Sequence, residues 1–240
     1  LRQLPAGNWI GGTIPYFIAE NGGLFSQDAA YITEMPDDAL RTEIAVYDEN
    51  SISEIYQKAP AHGFAFVIIP GFSQTHQTFA LKAPTFPNFA SNPLIGWISG
   101  FDLADLGKVT AKVYDGRTAQ AIENGAVVLY VHLPDSIIAD LQIVNIFDQG
   151  SGDTITFSAD GFSAREASIN GTPMPFARYL AENKIDTKLP LVADLCGAMI
   201  NTSFQAVDAE SGTVSFYAPV FQGMEYKIGK PVEDYVTAFL

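Results

Sequence analysis

The apolar positions of this chain gather in short runs, not in long helical stripes. Residues 64–69 are six consecutive apolar residues closed by Pro70-Gly71, the pattern of a strand covered on both faces. Residues 93–100 predict a second strand, 126–133 a third, and 141–147 and 154–157 two more. Residues 199–207 and 213–217 predict strands, and the turn-forming composition of 208–212 between them predicts a hairpin. Residues 224–228 add a strand and 231–240 a closing helix. Near the start, the glycine-rich stretch 7–14 predicts a strand or turn. Residues 15–20 predict a short helix or strand stopped by Gly22-Gly23.

Helix signals are fewer. Ser51 and Glu54 have capping-box spacing, and Ile52, Ile55, Tyr56 and Ala59 share one helical face before Pro60. Thr172 as cap and Pro173 in the first turn predict another helix, with Met174, Ala177, Leu180 and Ala181 as its apolar stripe. Helices among strands early and hairpins late predict an α/β (α+β) protein with mixed sheets in two packed lobes. The N-terminal α/β lobe is placed at residues 1–140 and the β-rich C-terminal lobe at 141–240. A length of 240 residues also allows one compact domain.

Composition narrows the classes of function. Hydrophobic residues at 48% and charged residues at 17% supply a real core and argue against disorder. Acidic residues outnumber basic ones 27 to 13, and the net charge of −14 repels phosphate backbones and anionic lipid. Nucleic acid and membrane surfaces are therefore not expected partners. No run of 18 apolar residues exists, so no membrane span is expected. Leu1-Arg2-Gln3-Leu4-Pro5 lacks the pattern of a signal peptide, and a start without Met reads as processed or trimmed. A soluble, cytoplasmic protein is the expectation. The single cysteine, Cys196, excludes a disulfide within the chain, and its apolar surroundings predict a buried, inert thiol.

Residues 63–101 stand apart. They hold one charged side chain, Lys82, together with seven Phe, Trp97 and four Pro. Ser73, Gln74, Thr75, His76, Gln77 and Thr78 lie among them. Apolar surface with a few neutral hydrogen-bonding groups is the composition of a ligand-cavity wall, and domain junctions often host such cavities. The plain alternative is packing between lobes. Phe72, Thr75, His76 and Trp97 are the candidate ligand-binding residues. Arg178 joins them as a partner for a ligand carboxylate, against the alternative of a surface salt bridge. His76 could instead be structural, or coordinate a metal or the iron of a haem-based gas sensor. His62 and His132 stand alone in sequence.

Catalytic motifs are absent from the sequence: no His-Glu-x-x-His, Cys-x-x-Cys, Gly-x-Ser-x-Gly or P-loop occurs. The run Asp148-Gln149-Gly150-Ser151-Gly152-Asp153 has calcium-loop composition but reads better as a turn. Asn170-Gly171-Thr172 and Asn201-Thr202-Ser203 match glycosylation acceptors, a pattern frequent by chance. No catalytic residue and no metal ligand is assigned, and a binding module is favoured over an enzyme. The rival is a hydrolase with dispersed carboxylates and histidine, recognisable by two carboxyl groups with opposed pKa shifts. A structural or interaction domain without a ligand is the plainest option.

Several segments resemble the FIST sensory domain of bacterial signalling proteins. Phe64-Ala-Phe-Val-Ile-Ile-Pro70, followed by Pro93-Leu-Ile-Gly-Trp-Ile-Ser-Gly100, resembles its apolar strand and later glycine-containing strand. Asn124-Gly-Ala-Val-Val-Leu-Tyr130 resembles its next strand. Asn170-Gly-Thr-Pro-Met-Pro-Phe-Ala-Arg-Tyr-Leu180 resembles the start of a C-terminal helix, and residues 208–216 with Phe221-Gln-Gly-Met224 its closing strand–turn–strand. Members often carry an arginine where this chain reads Asn201-Thr202-Ser203-Phe204, and none stands there. The resemblance implies a small-molecule sensor of a bacterial signalling system, for amino-acid-like ligands. It also brings haem into view, since some proteins that look like this family are thought to bind it. No cofactor is otherwise implied, and the signalling partner is unknown.

Overall fold

A computed structural model describes residues 4–20, 22–195 and 197–239. The reading of Cys196 as a buried thiol lies outside the described residues, as do Leu1, Arg2 and Gln3. The fold is α+β, with strands far outnumbering helices. The chain forms two compact units, Leu1–Leu141 and Gln142–Leu240.

In chain order, the first unit has β1 (Ile10–Gly12), β2 (Phe17–Ala19), β3 (Gly22–Leu24), β4 (Arg41–Tyr47) and β5 (Gly63–Pro70). Helix α1 (Gln74–Lys82), β6 (Leu94–Ser99), β7 (Val113–Asp115), β8 (Gln120–Ile122) and β9 (Ala126–His132) follow. The central sheet has the order β4-β9-β5-β6, and β1-β7-β8 form a separate three-stranded sheet. Strand β9 is antiparallel to both β4 and β5, whereas β5 and β6 are parallel. A parallel pair needs a crossover connection, and α1 supplies it.

The apolar run 64–69 is covered on both faces. Ala65, Val67 and Ile69 pack with Ile52, Ile55, Tyr56 and the Phe79 and Phe86 rings. On the opposite face Ile68 packs with Val113, Val127 and Ile10. Complete burial of a side chain such as Ile68 contributes roughly 1.5–3 kcal/mol. Core packing thus accounts for the absence of charge in β5 itself.

Ser51 does not cap a helix. Its hydroxyl donates to Asp48 Oδ1 at 2.7 Å, and only a 3-10 turn, Ile52–Glu54, follows. Ile52 and Ile55 are buried all the same.

The second unit contains β10 (Ile155–Thr156), β11 (Gly161–Ala164), β12 (Glu166–Ile169), β13 (Thr172–Pro175) and α2 (Phe176–Glu182). It continues with β14 (Leu191–Leu195), β15 (Ala198–Thr202), β16 (Phe204–Asp208), β17 (Thr213–Val220), β18 (Tyr226–Ile228) and α3 (Tyr235–Phe239). Two sheets form, β13-β12-β10-β18-β14-β15 and β11-β17-β16. Their core centres on Phe157, whose ring meets those of Phe176, Phe216 and Tyr226 at 5.4–5.8 Å.

Three expectations change here. Thr172 and Pro173 do not start a helix; they pair with Ile169 and Ser168 in an antiparallel hairpin. Asn170 and Gly171 at its tip both have positive φ, 50° and 86°, as a type I′ turn requires. Pro173 is tolerated because β13 is the edge of its sheet. Residues 141–147 form no strand; Ile143 and Val144 are exposed. The expected strand 199–207 breaks at Ser203 into β15 and β16, which belong to different sheets. The hairpin over 208–212 is present, joining β16 to β17.

Candidate functional site

Strands β5 and β6 run parallel and end side by side at Pro70 and Ser99. Ligand sites of open α/β sheets form outside such carboxyl ends. Beyond β5 the chain turns sharply at Phe72, whose φ is 64°. Three bonds brace this turn. Ser73 Oγ accepts from the His76 backbone N–H at 3.1 Å and donates to Pro70 O at 2.7 Å. His76 Nδ1 accepts from the Phe72 N–H at 3.3 Å.

Thr75 is fully buried in the first turn of α1, where its N–H donates to Asn124 Oδ1 at 3.2 Å. Asn124 Nδ2 in turn donates to Glu49 Oε2 at 3.0 Å. His76 is 9% exposed, and its burial pushes the imidazole pKa below the ordinary value. The ring therefore favours the neutral form that its acceptor role at Nδ1 demands.

Phe72 projects outward from this braced turn. Its ring is half exposed and meets Phe101, just past β6, at 6.2 Å and 45°. The two rings border an open cleft of about 220 Å³. Leu106 and Val109 continue the apolar lining, and Thr110 and Glu123 contribute polar groups. A second open hollow of about 450 Å³ shares Val109 and Thr110 and is edged by Lys108 and Lys112. Lys112 Nζ pairs with Glu123 Oε1 at 2.7 Å. That ammonium and the Thr110 hydroxyl hold the Glu123 carboxyl below the usual carboxylate range.

The candidate residues thus take different places. Phe72 lines the cleft, while Thr75 and His76 lie in the turn and helix start that carry it. Trp97 lies on β6 with its ring edge-on to Phe66 at 5.6 Å, and its Nε1 is near Gly12 of β1. Arg178 belongs to α2 of the second unit, where its Nε donates to Glu182 Oε1 at 2.7 Å in an i,i+4 pair. Phe101, Leu106, Val109, Thr110 and Glu123 were not singled out in the sequence. Phe101 closes the uncharged stretch, but the other four sit in ordinary loop sequence with no local signal.

The profile of the family of unknown function DUF6976 matches residues 1–240. This chain belongs to the DUF6976 family. Neither the curated proteins nor the solved structures contain a significant match to it.

In this DUF6976 member, His76 accepts the Phe72 N–H behind the cleft. The ring is nine-tenths buried, engaged through Nδ1, and not part of the cleft lining. A cleft of about 220 Å³ is also below the usual range for drug-sized ligands, roughly 300–1,000 Å³. Among the described residues, no cluster of three His, Cys, Asp or Glu stands ready for a metal ion. Asp148 faces Lys230, and Asp153 accepts from Asn170 Nδ2 and the Tyr179 hydroxyl. The shifted carboxyl groups among the described residues are Asp48, Asp115, Glu123, Asp208 and Asp234. All are lowered, so the opposed pair expected of the hydrolase is not found there. No helix among them is long and apolar enough to cross a membrane.

Proposed function

We propose that this chain is a small-molecule-binding sensory module of a bacterial signalling system. Its ligand site is the cleft at the carboxyl ends of β5 and β6. The observation that carries this reading is the meeting of Phe72 and Phe101 across an open cleft, with Phe72 on a braced turn. A turn fixed before binding lowers the ordering cost of a ligand. The resemblance of residues 64–70, 93–100 and 124–130 to the FIST sensory domain supports a sensor over a passive scaffold. A cytoplasmic location belongs to the same reading.

The test is a metabolite screen by thermal shift, followed by amide chemical shifts of the unaltered chain. At least one small metabolite is expected to raise Tm and to move the resonances of residues 71–73 and 101. A screen that leaves those resonances in place with every compound sinks the proposal.

A further inference from the structure

The cleft combines two aromatic rings with one kind of charge. Glu123 is the charged side chain on its lining among the described residues, and it is an anion. Lys112, which neutralises it, borders the neighbouring hollow instead. The Glu123 side chain is half exposed, so an incoming cation can reach the carboxylate without unfolding the loop. The faces of Phe72 and Phe101 are electron-rich and attract cations at short range. The net charge of −14 adds a long-range field of the same sign.

From this arrangement we infer that the cleft selects an organic monocation: a protonated amine on a compact aromatic or aliphatic body. The inference rests on the binding role proposed above and names its ligand class. The ammonium group lies toward Glu123, exchanging with Lys112 as its partner. The apolar body lies against Phe72, Phe101, Leu106 and Val109. Carboxylate ligands are repelled by Glu123.

Three probes of similar shape separate charge from fit: benzylamine, benzyl alcohol and benzoate. Binding is followed by amide shifts of residues 71–73, 101 and 106–111 in the full chain. Benzylamine is expected to bind about fivefold tighter than benzyl alcohol, and benzoate more weakly than either. Added salt should erode that preference without changing benzyl alcohol binding, a readout that needs no variant. Glu123→Gln should abolish the preference. Lys112→Met should strengthen benzylamine binding severalfold by releasing Glu123. Equal binding of amine and alcohol, or a preference that survives both salt and Glu123→Gln, overturns the ligand class but leaves the cleft a binding site. Silence from benzylamine at the cleft also overturns the ligand class, and the metabolite screen then judges the binding role by itself.

Discussion

The Phe72 backbone N–H donates to the ring nitrogen Nδ1 of His76, four residues further on, across 3.3 Å. This bond spans the left-handed turn at Phe72 and requires a neutral imidazole. Burial moves the His76 pKa down from its ordinary 6.5. An unfolded chain binds a proton near pH 6.5, whereas the folded chain resists it to lower pH. Stability from this group is therefore complete above about pH 6.5 and is lost as pH falls toward the folded value. Chemical denaturation between about pH 7 and 5 should show a decline of at most about 1.4 kcal/mol per pH unit. His76→Asn keeps an acceptor but does not titrate, so it should flatten the decline in that window. An unchanged slope would refute the assignment. The lowered carboxyl groups lose their contribution in a more acidic range.

Phe72 combines an unfavourable backbone with an exposed ring. A side chain in the left-handed region costs about 1–2 kcal/mol, a cost glycine escapes. Phe72→Gly should therefore be more stable than Phe72→Ala, by roughly 1 kcal/mol before the greater unfolded-state freedom of glycine is counted. Both variants should lose cleft binding by about tenfold, because the aromatic wall is gone. Paired denaturation and titration curves check the two halves of this prediction. Intact binding in both variants would remove Phe72 from the site.

Gly96 lies opposite Val67 in the parallel ladder, with φ of 155°. A Cβ there would sit on the Val67 carbonyl oxygen. Gly96→Ala should separate β6 from β5 and cost about 4 kcal/mol or more. Urea unfolding and amide exchange in β6 would report it.

Tyr130 donates to the Ile55 carbonyl at 2.8 Å, so Tyr47 must donate to Tyr130 across 2.7 Å. Burial drives the Tyr130 phenol strongly upward in pKa. Tyr130→Phe leaves both the Ile55 carbonyl and the Tyr47 hydroxyl unpaired, at about 2–3 kcal/mol. Tyr47→Phe removes one donor and should cost about 1 kcal/mol. The reverse order in equilibrium denaturation would overturn this reading of the chain of bonds.

Local sequence was sufficient where one segment carried its own signal. The apolar run 64–69 is the buried strand β5, and Asp208 begins a tight turn by accepting from the Glu210 and Ser211 N–H groups. The α+β class follows from such segments. Local sequence misleads where two local signals compete. Thr172-Pro173 looks like a helix start, yet Asn170-Gly171 is a stronger hairpin signal, and the ladder to β12 takes precedence. Residues 141–147 have strand-like apolar content but no ladder partner, and an unpaired strand has nothing to hold it.

What the sequence determined by itself was the inventory: an acidic, core-forming chain, its strand-rich class, and an aromatic segment with a single charge that includes Phe72 and His76. Tertiary structure decided which of those residues meet. It brought Phe101 to Phe72 and set Glu123 beside them, although 22 positions separate Phe101 from Glu123. The reason is physical: periodicity and caps act within a few residues, whereas a cleft is made by strand ends whose neighbours are chosen by sheet order.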